Sequence, residues 1–148
     1  MSIAYMERER PIKKPKATRA PFLRTEETPP TNLDAQPPAF SFEKMADGSG
    51  HSFNCCQEED RLALSKRMFM LSRMPWQQIN LAPSKGMGAE KISRGEINPG
   101  IPTAVTEDVS YFYSLHYYGK KRFIGYKVGQ IFHILWVDHN FGVYDHGP

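Results

Sequence analysis

The chain is short of the features that narrow a protein to a class quickly. Its 148 residues include two cysteines, Cys55 and Cys56, and these are adjacent. Neighbouring cysteines rarely bridge each other, because a disulfide constrains the separation of their Cα atoms. With no disulfide framework and no metal-type cysteine spacing, the reducing cytoplasm is the expected compartment. No apolar run reaches the roughly 18 residues a membrane span needs; the longest is the short stretch 131–137. The charged N-terminus has no apolar core of the kind a secretion signal carries, so export is not expected. One-sided charge is lacking too. The net charge is +3, with seven basic and two acidic residues in 1–24 but twelve against eleven in 41–148. A nucleic-acid site on the folded part must therefore be a local patch, since a general binder shows a strong basic excess.

What is present divides unevenly along the chain, whose length suggests one domain. Residues 1–39 hold seven of the twelve prolines and few large apolar side chains. Such a tract cannot bury enough apolar area to offset chain entropy, and it reads as a disordered, basic, Pro-rich tail. The folded part is expected over 40–148. Ala39-Phe40-Ser41-Phe42 alternates as a first strand does, Asp47-Gly48-Ser49-Gly50 is a turn, and His51-Ser52-Phe53 is a candidate extension or partner of that strand. A helix follows, with Asn54 as cap, Gln57 as its capping-box partner and Glu58, Glu59 and Asp60 in the first turn, where the helix dipole favours acids. Leu64, Met68 and Leu71 form its apolar stripe, joined by Leu62, Phe69 and Met74. After Pro75 a second short helix over 76–81 turns Trp76 and Ile79 inward, with Leu81 also assigned to the core. Between Ala82 and Asp108 glycine and proline interrupt every pattern, and 89–92 is a brief turn or strand.

The segment 111–146 is the richest. YFYSLHYYGKKRFIGYKVGQIFHILWVDHNFGVYDH contains four of the five histidines and the densest basic cluster. It reads as three or four consecutive strands with turns at Tyr118-Gly119-Lys120, Val128-Gly129-Gln130 and Asp138-His139-Asn140. The continuous apolar run around Phe132 and Trp136 implies a central strand buried on both faces, and 141–144 a last short strand. His133, flanked by Phe132 and Ile134, reads as a core histidine. Alternation places Lys121 and Lys127 on one face of their strand and Arg122 on the other. The fold class is α+β: an N-terminal strand, a helical hairpin, then a three- to four-stranded antiparallel sheet.

This order of elements, and the ending KKRFIGYKVGQIFHILWVDHNFGVY, is similar to the RelE/ParE-like toxins of bacterial toxin–antitoxin systems. The resemblance covers about 40–148 in topology and 120–146 in residue detail, and the Pro-rich leader has no counterpart in it. It implies an mRNA endoribonuclease acting at the ribosome, inhibiting translation and arresting growth, and held in check by a cognate antitoxin. It implies no cofactor. Lys120, Lys121, Arg122 and Lys127 match the phosphate-binding basic hairpin, while His139, Tyr144 and His146 match positions that carry acid–base residues. Asp138, His139, Asp145 and His146 lack the spacing of a metal site, so none is expected. The alternative is a non-catalytic toxin of the same fold that blocks gyrase or a sliding clamp. Gln78-Ile79-Asn80-Leu81 loosely resembles part of a clamp-binding peptide, without its trailing aromatic.

Overall fold

A computed structural model describes residues 32–147. The expected disordered tail lies outside the described residues as far as Thr31. Its remainder does not behave as tail. Asn32 caps a single 3₁₀ turn, Leu33–Ala35, by accepting from the Asp34 N–H at 3.0 Å. Gln36 accepts from the Trp76 N–H at 3.0 Å, and Pro38 is buried. The folded part therefore reaches back to Asn32, beyond the boundary at 39 that proline content suggested. Proline is compatible with extended chain packed at a sheet edge.

The elements are strand β1 (Ala39–Ser41), helix α1 (Glu58–Leu71), helix α2 (Trp76–Leu81) and strands β2 (Ala89–Ser93), β3 (Tyr111–Tyr118), β4 (Lys121–Val128) and β5 (Ile131–Asp138). Ahead of α1, residues 51–53 do not extend the first strand: Phe53–Cys55 is a 3₁₀ turn. That turn moves the helix cap to Gln57, which completes a capping box with Asp60, while Asn54 is drawn off to the Asp47 carboxylate at 3.3 Å. On α1 the stripe Leu64, Met68, Leu71 faces the sheet, with Leu64 and Leu71 fully buried. Leu62 and Phe69, seven residues apart, share a different face and stay 58 % and 62 % exposed. On α2 Trp76 and Ile79 are buried, as their spacing implies, but Leu81 is 86 % exposed. It belongs to the surface.

All five strands form one mixed sheet in the order β1-β5-β4-β3-β2. It is wider than the expected antiparallel meander at both edges. β1 lies parallel to β5, pairing Phe40 with Phe132, and β2 lies antiparallel to β3, pairing Glu90 with Ser114. The strand expected over 141–144 does not form. Phe141 takes a left-handed φ of 61°, and Asp138 Oδ1 accepts from the N–H groups of Gly142 at 2.7 Å and Val143 at 3.2 Å. The carboxylate thus takes backbone donors that a strand partner would need, and the chain folds back over the sheet.

The two hairpin loops, Gly119-Lys120 and Gly129-Gln130, are two residues long, with φ of 58° and 61° at their glycines. Glycine at the first loop position is the type II′ pattern, whose twist suits a hairpin. One irregularity matters for the faces of the sheet. Ile124 pairs with Trp136 but Gly125 with Ile134, leaving Leu135 as a bulge. Both Leu135 and Trp136 consequently join the core away from the helices, with Ile92, Phe112, Ile124, Val143 and Tyr144. Phe132, Ile134 and Val137 join the helical core with Leu64, Trp76 and Ile79. β5 is buried on both faces, as its apolar run implied.

Candidate functional site

Strand alternation and register bring Glu90 of β2, Ser114 and His116 of β3 and Arg122 of β4 onto the sheet face opposite the helices. The segment after β5 lays Tyr144 and His146 over them. Four of these side chains close a ring of polar contacts. Arg122 Nη1 donates to Ser114 Oγ at 3.2 Å, Ser114 Oγ and Tyr144 Oη lie 2.9 Å apart, the tyrosine reaches Glu90 Oε1 at 3.4 Å, and Glu90 pairs with Arg122 at 3.1 Å. Tyr144 is buried beneath this ring, and burial pushes its phenol above the ordinary tyrosine value. It is a hydrogen-bond donor at neutral pH, not a phenolate.

His146 is the other working part. Its ring stacks on Tyr144, with centroids 4.1 Å apart and planes 19° from parallel. Its Nε2 donates to Asp138 Oδ2 at 2.7 Å. Asp138 is fully buried and its other oxygen holds the Gly142 and Val143 N–H groups. One carboxylate therefore fixes both the return of the chain and the orientation of the imidazole.

These groups surround a cleft of about 420 Å³ lined by Glu90, His116, Arg122, Tyr144 and His146, with Lys85, Gly119 and Lys120 completing its wall. Three cations face one cleft-lining carboxylate, so the cleft suits an anion. The His116 ring is partly enclosed, and burial, followed by the nearby Arg122 charge, holds its pKa below the usual histidine value. Its Nδ1 is buried without a partner.

Of the residues expected from sequence, Lys120, Arg122, Tyr144 and His146 meet in this cleft. The other three do not. Lys121 is turned to the helical face, where its Nζ lies 2.9 Å from the buried Asp60. Lys127 shares that face but pairs with Asp34 at 2.8 Å, donates to the Gly129 carbonyl and lies over the Trp76 ring. Sequence alternation separated them from Arg122 correctly, and the ion pairs explain their presence. His139 Nε2 donates to the Gly50 carbonyl at 3.0 Å and its ring sits beside His51; it does not line the cleft. Sequence reasoning missed Glu90, Ser114, His116 and Asp138 as parts of the site. Alternation along 111–118 was the available signal for Ser114 and His116. Glu90 gave none, because the sequence leaves 89–92 open between a turn and a strand, with no register to place the side chain on a face.

No protein-family model, curated protein or solved structure matches this chain. No helix among the described residues is long and apolar enough to cross a membrane.

Proposed function

We propose that the protein is a metal-independent endoribonuclease toxin of the RelE/ParE-like kind, acting on mRNA in the cytoplasm and restrained by a partner antitoxin. The observation that carries the reading is the meeting of Arg122, Glu90 and the Asp138-held His146 in one anion-suited cleft. RNA cleavage without a metal needs a base for the ribose 2′-hydroxyl, a cation for the phosphate and an acid for the leaving oxygen. Glu90 takes the 2′-hydroxyl proton, and the 2′-oxygen then bonds to phosphorus. Arg122 and Lys120 bind the non-bridging oxygens as negative charge gathers there. The bond to the 5′-oxygen breaks as His146 supplies its proton. The products are a 2′,3′-cyclic phosphate and a 5′-hydroxyl end, so every proton and bond is accounted for. Tyr144 holds Glu90 and the imidazole in place.

Primer-extension mapping of cellular RNA after brief induction tests this. Cuts confined to translated frames are expected, with growth arrest. His146→Ala should slow cutting by about 10²–10⁴-fold and Arg122→Ala by about 10²–10³-fold, while Lys127→Ala, outside the cleft, should still cut. Undiminished cutting in the first two variants would remove the assignment. A second reading, a toxin that occludes a replication protein such as gyrase or a sliding clamp, is favoured by one observation: Gln78 and Leu81 both stand exposed on α2. A pull-down that recovers ribosomes and no replication protein would dispose of it.

A further inference from the structure

Beside the cleft lies a second hollow of about 380 Å³, lined by Lys120, Phe141, Asp145, His146 and Gly147. Lys120 and His146 line both spaces, so the two adjoin at the residues assigned to phosphate binding and proton transfer. Phe141 is its unusual member. Its ring is 46 % exposed, and it is the one non-glycine residue with positive φ among those described. A bulky side chain at that φ is strained, and strain of this kind collects at functional sites. The ring meets His146 at a near-right angle, with centroids 5.4 Å apart and planes at 87°, and much of its surface stays open to solvent. Asp145 is exposed, and its Oδ1 accepts from the Gly147 N–H at 2.9 Å, which biases the carboxylate's orientation.

We infer that this hollow is a nucleobase subsite: Phe141 stacks the base next to the scissile phosphate, and Asp145 reads it as guanine. The inference rests on the ribonuclease reading and adds substrate preference to it. An exposed aromatic face stacks any base, so stacking alone does not discriminate. A carboxylate does, because guanine presents two adjacent N–H donors on its Watson–Crick edge, where uracil presents one donor between two acceptors. Lys120, shared by both spaces, takes the phosphate that joins the two nucleotides.

The test measures binding apart from cleavage, with the full chain and labelled tetraribonucleotides made uncleavable by 2′-O-methylation. Phe141→Gly is the informative variant, since glycine accepts positive φ without strain and the ring is lost without a cost to folding. It should keep or raise the melting temperature while weakening binding about 5- to 150-fold, the range that stacking of one base supplies. Phe141→Tyr should bind as the parent does. Guanine-containing oligonucleotides should bind tighter than their uracil counterparts, and Asp145→Ala should abolish that difference. Equal binding by Phe141→Gly and the parent, or no binding by the parent to any oligonucleotide, overturns the subsite. Unmodified mRNA on translating ribosomes separates the two ideas. A parent chain that binds through Phe141 yet does not cut overturns the nuclease reading and keeps the subsite. One that cuts, with Phe141→Gly cutting equally well at the same sequences, overturns the subsite alone.

Discussion

Lys121 and Arg122 are neighbours in sequence with opposite fates, and the difference is one of side-chain direction. Arg122 enters the cleft, whereas Lys121 completes a buried group in which Asp60 also accepts from the Tyr117 hydroxyl at 3.0 Å. Burial alone would raise the Asp60 carboxyl, but the hydrogen bonds from Lys121 and Tyr117 outweigh it and hold the carboxyl below its ordinary value. A carboxyl depressed in the folded state stabilises the protein above its unfolded value near ~3.9. That stability is lost as the pH falls through the folded value. Asp60→Asn should therefore cost about 1–3 kcal/mol at pH 7, with the gap from the parent closing below about pH 4. Denaturant melts across pH 7 to 3 measure this, and a gap that stays constant would show that the charge of Asp60 is not what matters. At this scale the sequence was half legible. Alternation told the two faces apart, but it could not say that Asp60 and Asp34, 61 and 93 residues from their lysines, would claim the cations on one of them.

Among the elements, the long strands and both helices were readable because their signals are local: apolar spacing, a proline before α2, a glycine opening each hairpin loop. What escaped was set by distant partners. β2, left open between turn and strand by its sequence, is a strand because β3 offers it a ladder. Residues 141–144 fail to be one because Asp138 takes their backbone donors. The β4–β5 bulge was hidden for the same reason, although Gly125 marks it. A Cβ on Gly125 would stand 1.9 Å from the His133 carbonyl oxygen, a backbone atom that cannot yield without moving the ladder. Gly125→Ala should destabilise by about 1–3 kcal/mol and loosen the cleft as well, because the register beyond the bulge sets Arg122 opposite Asp138. A thermal melt matching the parent's would show that the two strands part more easily than this packing implies.

For the whole molecule, three histidines outside the assigned chemistry set the response to acid. Burial holds the pKa values of His51, His116 and His133 below the ordinary histidine value. His133 stacks on Tyr126 at 5.2 Å with its Nδ1 unpartnered, a core residue as its flanks implied, though not a fully satisfied one. The unfolded chain takes up protons near pH ~6.5 before the folded chain does, so stability must fall as the pH drops below that point. Melting temperature should decline from pH 7 to 5, and His133→Phe, which keeps the stack without the titration, should flatten the decline. A melting temperature that held or rose over that interval would contradict the burial of these rings. The cleft itself was the least legible feature of all, since its parts come from β2, the β3–β4 hairpin and the turn after β5. That same dispersal has a consequence for synthesis. β1 has no strand neighbour until β5 has been made, and His146, which lines the cleft, follows β5. Every nascent chain that stops short of His146 therefore lacks one wall of the cleft.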